Sequence, residues 1–230
     1  MLDISGDFSF EKSKAYAEKL DVKYPFLTCS VIGRSCSGRG VFAFSAGSVT
    51  NSVVITATAE KPDAQTSLVL YKYIDSVCES VFTGREISGV NFASLIKKFG
   101  ITVIPCLNPD TSEKGNILSD FSDESSPEMR AFSSLCHRRH YRSCLTLRNG
   151  RDSVFCKRKE LSLPTSQMMA KILSSSCLCP ACESEMPPCP SRWFIDLFSK
   201  PAFLMNVRRA SEAELLYKRL EESLVLMSVM

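Results

Sequence analysis

The sequence predicts an α/β fold: three layers in αβα order around a mixed, mainly parallel sheet. Residues 53–58 (VVITAT) form a continuous apolar, β-branched run, as a strand covered on both faces requires. Residues 66–77 (TSLVLYKYIDSV) then have helical character, and residues 102–105 (TVIP) read as a second short buried strand. Strand, helix, strand in that order points to layered α/β architecture. With 230 residues, of which 44% are hydrophobic, the chain can fill one core, and we read residues 1–230 as a single domain.

The elements follow in order. Residues 9–20 are rich in good helix formers and predict a helix. Residues 28–32 and 41–46 predict two strands around the Gly- and Ser-rich turn at 33–40. Residues 92–99 predict a helix and 111–125 a polar loop. Ser126-Pro127-Glu128 is a helix start: a capping Ser, Pro at the first helical position and an acid in the first turn. That helix is expected to run to about His140. Residues 145–147 and 154–156 predict two short strands around Arg148-Asn149-Gly150. Residues 166–175 predict a helix, 177–190 an irregular Cys- and Pro-rich loop, and 202–207 the last strand. Ser211 with Glu214 has the capping-box spacing, and Leu216, Leu220, Leu224 and Met227 continue as an amphipathic helix.

Composition narrows the function classes. There are 28 basic and 25 acidic residues, a net charge of only +3, so no nucleic-acid partner is expected. No stretch reaches the roughly 18 apolar residues of a membrane helix, and the first twenty residues lack a secretory pattern. The expected location is therefore cytoplasmic, with no membrane partner. Eleven cysteines, an odd number, fit reduced thiols better than a closed disulfide framework. There are only two histidines.

Five stretches together resemble the zinc metallocarboxypeptidase family, whose nearest branch includes bacterial γ-D-glutamyl-diaminopimelate peptidases. They are YPFLTCSVIGRSCSGRGVFAFSAG, VVITATAEKPDAQTSLVLYKYID, ITVIPCLNPD, SSPEMRAF and RWFIDLFSKPAFLMNV, in family order over roughly residues 16–225. The resemblance implies a shortened carboxypeptidase-like fold. It also implies a zinc ion on two His and one Glu, a water nucleophile activated by the metal, a separate Glu as base, and an Asn-Arg clamp for the substrate carboxylate.

This chain departs from that pattern residue by residue. Aligned with the family, Glu60 stands at the first ligand His, Asp63 at the ligand Glu and Leu147 at the last ligand His. Asn206 stands at the catalytic Glu, and an amide does not accept and return a proton at neutral pH. The stretch GNILSDF, where the clamp belongs, holds no Arg. No zinc is expected at the family site and no catalytic residue is assigned. The expected function is that of a pseudopeptidase, not an enzyme, that binds a peptide or protein partner. Its residual cleft would be formed by Asn108, Asp110, Arg148 and Asn206, with Glu60 and Asp63 beside them. One alternative is an active metallopeptidase on cell-wall-type peptides, with a metal on Glu60, Asp63 and a third, unassigned ligand.

Three further motifs carry competing readings. Cys177, Cys179, Cys182 and Cys189 could form a structural zinc site or redox pair, making the chain a Cys-cluster protein. Their clustering is atypical of a zinc ribbon, and a thiol-bearing loop is the plainer expectation. His137-Arg138-Arg139-His140 has His-x-x-His spacing but reads as a basic helix end. The glycines from Gly33 to Gly40 lack the Gly-Lys-Ser/Thr ending of a phosphate loop and lie between strands, so they read as a turn.

Overall fold

The computed structural model describes residues 8–58, 65–112, 124–156, 170, 171, 174, 181, 182 and 184–207. Eight strands form one sheet flanked by helices. They are β1 (Thr28–Arg34), β2 (Gly40–Ala46), β3 (Ser52–Thr58), β4 (Gly100–Ile104), β5 (Ser143–Asn149), β6 (Ser153–Phe155), β7 (Ala181–Cys182) and β8 (Ala202–Val207). The spatial order is β1-β2-β4-β3-β5-β8-β6-β7. The central four, β4, β3, β5 and β8, are mutually parallel. Strands β1 and β2 add antiparallel at one side. On the other side β6 pairs antiparallel with β8 and parallel with β7. The mixed, mainly parallel sheet of the sequence reading is present.

The helices are α1 (Phe10–Lys23), α2 (Gln65–Thr83), α3 (Phe92–Leu95), α4 (Pro127–Arg138) and α5 (Pro190–Phe198). Two cores explain the three layers. On one face Val53, Ile55, Ala57, Leu145, Leu147, Phe203 and Met205 pack with residues of α1 and α2. On the other, Val54, Cys144, Ala202 and Ile104 pack with Phe132 of α4 and Trp193 of α5. Strand alternation sends successive side chains to opposite cores, and for that reason β3 is buried along its whole length.

Local chemistry sets the helix boundaries. The Ser9 and Ser126 side chains accept from the Lys12 and Met129 amides, capping α1 and α4. Gly33 lets β1 approach α4 closely, because a Cβ there would collide with the Ala131 methyl.

Several expectations need correction. The helix expected over 92–99 is only Phe92–Leu95, because Lys98 and Phe99 donate back to the Leu95 carbonyl and the chain turns into β4 at Gly100. The two strands expected around Arg148-Asn149-Gly150 are present as β5 and β6, with β8 lying between them. Within the stretch expected to be irregular, Ala181–Cys182 pairs with β6. Helix α5 was not expected. The helix expected over 166–175 lies mostly outside the described residues, and the one over 211–227 entirely so.

Candidate functional site

The C-terminal ends of β3, β5 and β8 lie side by side, the usual ligand edge of an open α/β sheet. The ladder register aligns one row across four strands there. Thr58 pairs with Arg148, Arg148 with Asn206, and Asn206 with Ser153. Paired residues in neighbouring strands project to the same face. Val54 and Thr56 precede Thr58 at two-residue steps, so this is the face of α4 and α5. One step back, the Thr146 hydroxyl bonds to the Ser191 hydroxyl at 2.8 Å and accepts from the Ser191 amide at 3.1 Å. This pins the N-terminus of α5 onto β5.

The row is polar and largely shielded. Thr58 and Asn206 are buried, while Arg148 and Ser153 are half-buried. The Asn206 amide has a defined orientation. Its Nδ2 donates to Ser153 Oγ at 3.1 Å, and Ser153 Oγ in turn donates to the Arg151 carbonyl at 2.8 Å. The Asn206 Oδ1 is buried without a hydrogen-bond partner, as are Thr58 Oγ1 and Thr56 Oγ1. Gly150 passes over Asn206 closely, since a Cβ there would lie 3.3 Å from the Asn206 Cβ.

Register also separates two residues that the alignment places in one site. Leu147 pairs with Ala57 and Met205 and is buried in the α1–α2 core. It therefore lies on the face opposite Asn206, because the side-chain period of a strand is two. The β5 residue that shares a face with Asn206 is Arg148. Glu60 and Asp63 lie outside the described residues.

Asp110 does not face this row as an open carboxylate. Its Oδ1 accepts from Ser35 Oγ at 2.7 Å and its Oδ2 from the Ser37 amide at 2.8 Å. Arg39 adds a bond to the Pro109 carbonyl. Asp110 thus ties down the 35–39 turn, and the backbone N–H that could have cradled a phosphate is bonded to it. Asn108 is buried just upstream, after β4.

Both histidines sit at the other end of the sheet. Helix α4 ends at Arg138, so His137 and His140 do not share a helical face. The His137 ring packs against Phe198 at 5.3 Å between centroids. The Arg142 amide donates to the Ser52 carbonyl, which places this connection at the start of β3, and β5 starts at Ser143. From there β5 runs six residue steps, about 20 Å, to the C-terminal edge. Among the described residues, neither histidine stands at this edge, where β5 brings Leu147 and Arg148 and β8 brings Asn206.

The cysteines divide similarly. The nine described cysteines are free thiols, six of them buried. Cys189 caps α5, its sulfur accepting from the Arg192 amide at 3.4 Å. Burial pushes its thiol up to about 11, against bonds from the Arg192 and Ser191 amides and the charges of Arg148 and Arg192. Cys182 Sγ lies 2.9 Å from Ser184 Oγ. Cys177 and Cys179 lie outside the described residues. Among the described residues no three His, Cys, Asp or Glu side chains converge as a metal site. Sequence reading missed Thr58 and Ser153, which only the strand register brings into line with Asn206, and Gly150, which passes close over it.

No family model matches the chain. The fold is that of metallocarboxypeptidases. Thrombin activatable fibrinolysis inhibitor superposes with a TM-score of 0.80 at 13% identity, over 98% of this chain and 74% of that one. A metallo-carboxypeptidase from Burkholderia cenocepacia gives 0.75 at 13% identity, over 97% and 69%. The murein-tripeptide amidase MpaA from Escherichia coli O157 gives 0.59 at 14% identity, over 88% and 92%. By sequence, the Bacillus subtilis (strain 168) protein YqgT is 28% identical over 89 residues, 38% of this chain and 24% of that protein.

Proposed function

We propose that this chain is a carboxypeptidase-like protein without peptidase chemistry, which uses the C-terminal edge of its sheet to bind a peptide or a protein partner. The observation that carries this is the placement of its only two histidines, His137 and His140, at the opposite edge of the sheet. Hydrolysis on this fold needs a metal-bound water and a base beside it. Leu147 points into the far core, Arg148 has no lone pair to give a metal, and Asn206 holds an amide where a carboxylate base would work. Removing a single member of such a machinery already removes most of its rate.

Murein tripeptide is the first probe, because one structural neighbour is named for it. The full chain is incubated with the tripeptide and added zinc, and the products are read by mass spectrometry while calorimetry reads binding. The proposal expects the peptide bound and recovered intact. Chelator-sensitive cleavage would overturn it.

A further inference from the structure

The opposite edge of the sheet carries a second surface. Strands β3, β4, β5 and β8 begin there, because Ser52 pairs with Gly100, Val53 with Ser143 and Cys144 with Ala202. Strand β2 ends and β1 begins at the same level, as Ala46 pairs with Ile101 and Thr28 with Ser45. Helix α2 ends there too, alongside α1, since Lys23 at the end of α1 bonds to Glu79 at 3.0 Å. Six large apolar side chains are exposed among the described residues, and five gather at this end: Val22, Phe26, Val49, Phe82 and Leu197. Val22 is 84% exposed and Phe82 72%. Scattered exposed apolar residues are ordinary, but a group of them at one end marks a contact surface.

Charge gathers at the same end. Its connections, residues 24–27, 47–51, 84–99, 139–142 and 199–201, carry Arg85, Lys97, Lys98, Arg139, Arg142 and Lys200 against one acid, Glu86. The last helical turns add Lys23 and Arg138 against Asp21 and Asp196, which leaves the excess unchanged. Arg139 and Lys200 bond to neutral groups, the Thr102 hydroxyl and the Tyr141 carbonyl, so their charges persist. The described connections at the candidate edge have the reverse balance, with Asp110, Glu124, Asp152 and Glu185 against Arg39 and Arg151. A net charge of +3 conceals this asymmetry. We propose that the basic end of the molecule lies on an anionic lipid bilayer. Its exposed apolar side chains enter the headgroup region and its cations face the lipid phosphates, the pairing that an interfacial protein needs. An acidic peptide or a nucleic acid would engage the cations but leave Val22 and Phe82 in water. The contact needs no spanning helix, and no described helix is long and apolar enough to be one. It stands apart from the proposed function and leaves the candidate edge facing solution.

The full chain is mixed with phosphatidylcholine vesicles, with and without phosphatidylglycerol, and bound protein is measured by co-sedimentation. The inference expects saturable binding that needs phosphatidylglycerol and weakens as salt rises. Lys97→Gln combined with Lys98→Gln should weaken it by about tenfold or more, the loss of two surface cations. Phe82→Ser should weaken it by about threefold or more, the loss of one inserted ring. All three side chains are exposed, so unchanged urea midpoints are expected and show that the variants fold. Two tryptophan variants read the orientation. Phe82→Trp fluorescence should shift to the blue on anionic vesicles. Val31→Trp, at the exposed apolar position away from this end, should show no shift beyond that of Trp193 alone. No binding, equal binding without phosphatidylglycerol, or a blue shift in Val31→Trp but not in Phe82→Trp would overturn the inference. Soluble polyglutamate bound as tightly as the vesicles, with Phe82→Ser without effect on either, would overturn it in favour of an acidic macromolecule.

Discussion

Thr146→Val tests how the α5 side of the site is built. The change is nearly isosteric, so the shape of the core is kept. It removes one oxygen that accepts from the Ser191 amide at 3.1 Å and bonds to the Ser191 hydroxyl at 2.8 Å, with both residues fully buried. The Ser191 N–H, in the first turn of α5 where no intrahelical carbonyl is available, then keeps only the Cys189 sulfur, a weak acceptor. A buried donor left with so weak an acceptor costs up to about 1–3 kcal/mol. The Ser191 hydroxyl keeps only Cys144 Sγ at 3.4 Å, a weak acceptor. We expect a loss of about 2–3 kcal/mol in all. With a urea slope of about 1–3 kcal/mol/M, the midpoint should fall by roughly 1 M. The single tryptophan, Trp193, sits on α5 and reports the transition by fluorescence. Ser191→Ala alone should cost less, because it leaves the Thr146 oxygen bonded to the Ser191 amide. A Thr146→Val loss below about 0.5 kcal/mol, the range of an uninvolved surface change, at unchanged slope would refute this account of the α5 anchor.

Other expectations follow from the same geometry. Gly33→Val should cost about 1–3 kcal/mol by overpacking β1 against Ala131, read as a lower urea midpoint; no loss would mean that α4 moves away freely. Tyr24→Phe removes a hydroxyl placed 2.8 Å from Oδ1 of buried Asp75, and should cost about 1.5–3 kcal/mol even though Lys23 remains at 3.1 Å. Bonds from Lys23 and Tyr24 hold the Glu79 carboxyl below its ordinary 4.5. A depressed carboxylate contributes stability above its ordinary value and loses that contribution as pH falls through the folded-state value. The Tm gap between the native chain and Glu79→Gln should therefore be present at pH 7 and close at low pH; a gap that is constant with pH would contradict this.

The strongly patterned parts of the fold were legible in the sequence. VVITAT could only be a strand covered on both sides, Ser126-Pro127 could only open a helix, and the expected last strand has the bounds observed for β8. Helix α5 was hidden because Cys189 and Pro190 read as the end of a Cys- and Pro-rich loop, whereas they are its cap and first residue. A cysteine is an unusual cap, so no Ser, Thr or Asp announced the helix. The insertion of β8 between β5 and β6 was not readable either, because strand order depends on long-range pairing that local periodicity does not encode. The site suffered most. Alignment put Leu147 and Asn206 into one catalytic centre, yet a one-residue difference in register sends a strand residue to the other face, and Arg148 is the residue beside Asn206. Asp110 looked like a cleft carboxylate because its partners, Ser35 and Ser37, are about seventy residues away in sequence.

The central claim is that this fold no longer builds its metal centre, and zinc titration of the full chain tests it most directly. Zinc affinity is measured for the native chain, for the Glu60→Ala, Asp63→Ala double variant, and for the Cys179→Ala, Cys182→Ala double variant. The account predicts that any zinc bound is indifferent to Glu60 and Asp63, and that no tripeptide is cleaved in its presence. One zinc per chain that is lost with Glu60 and Asp63, together with zinc-dependent release of an amino acid from murein tripeptide, would contradict it.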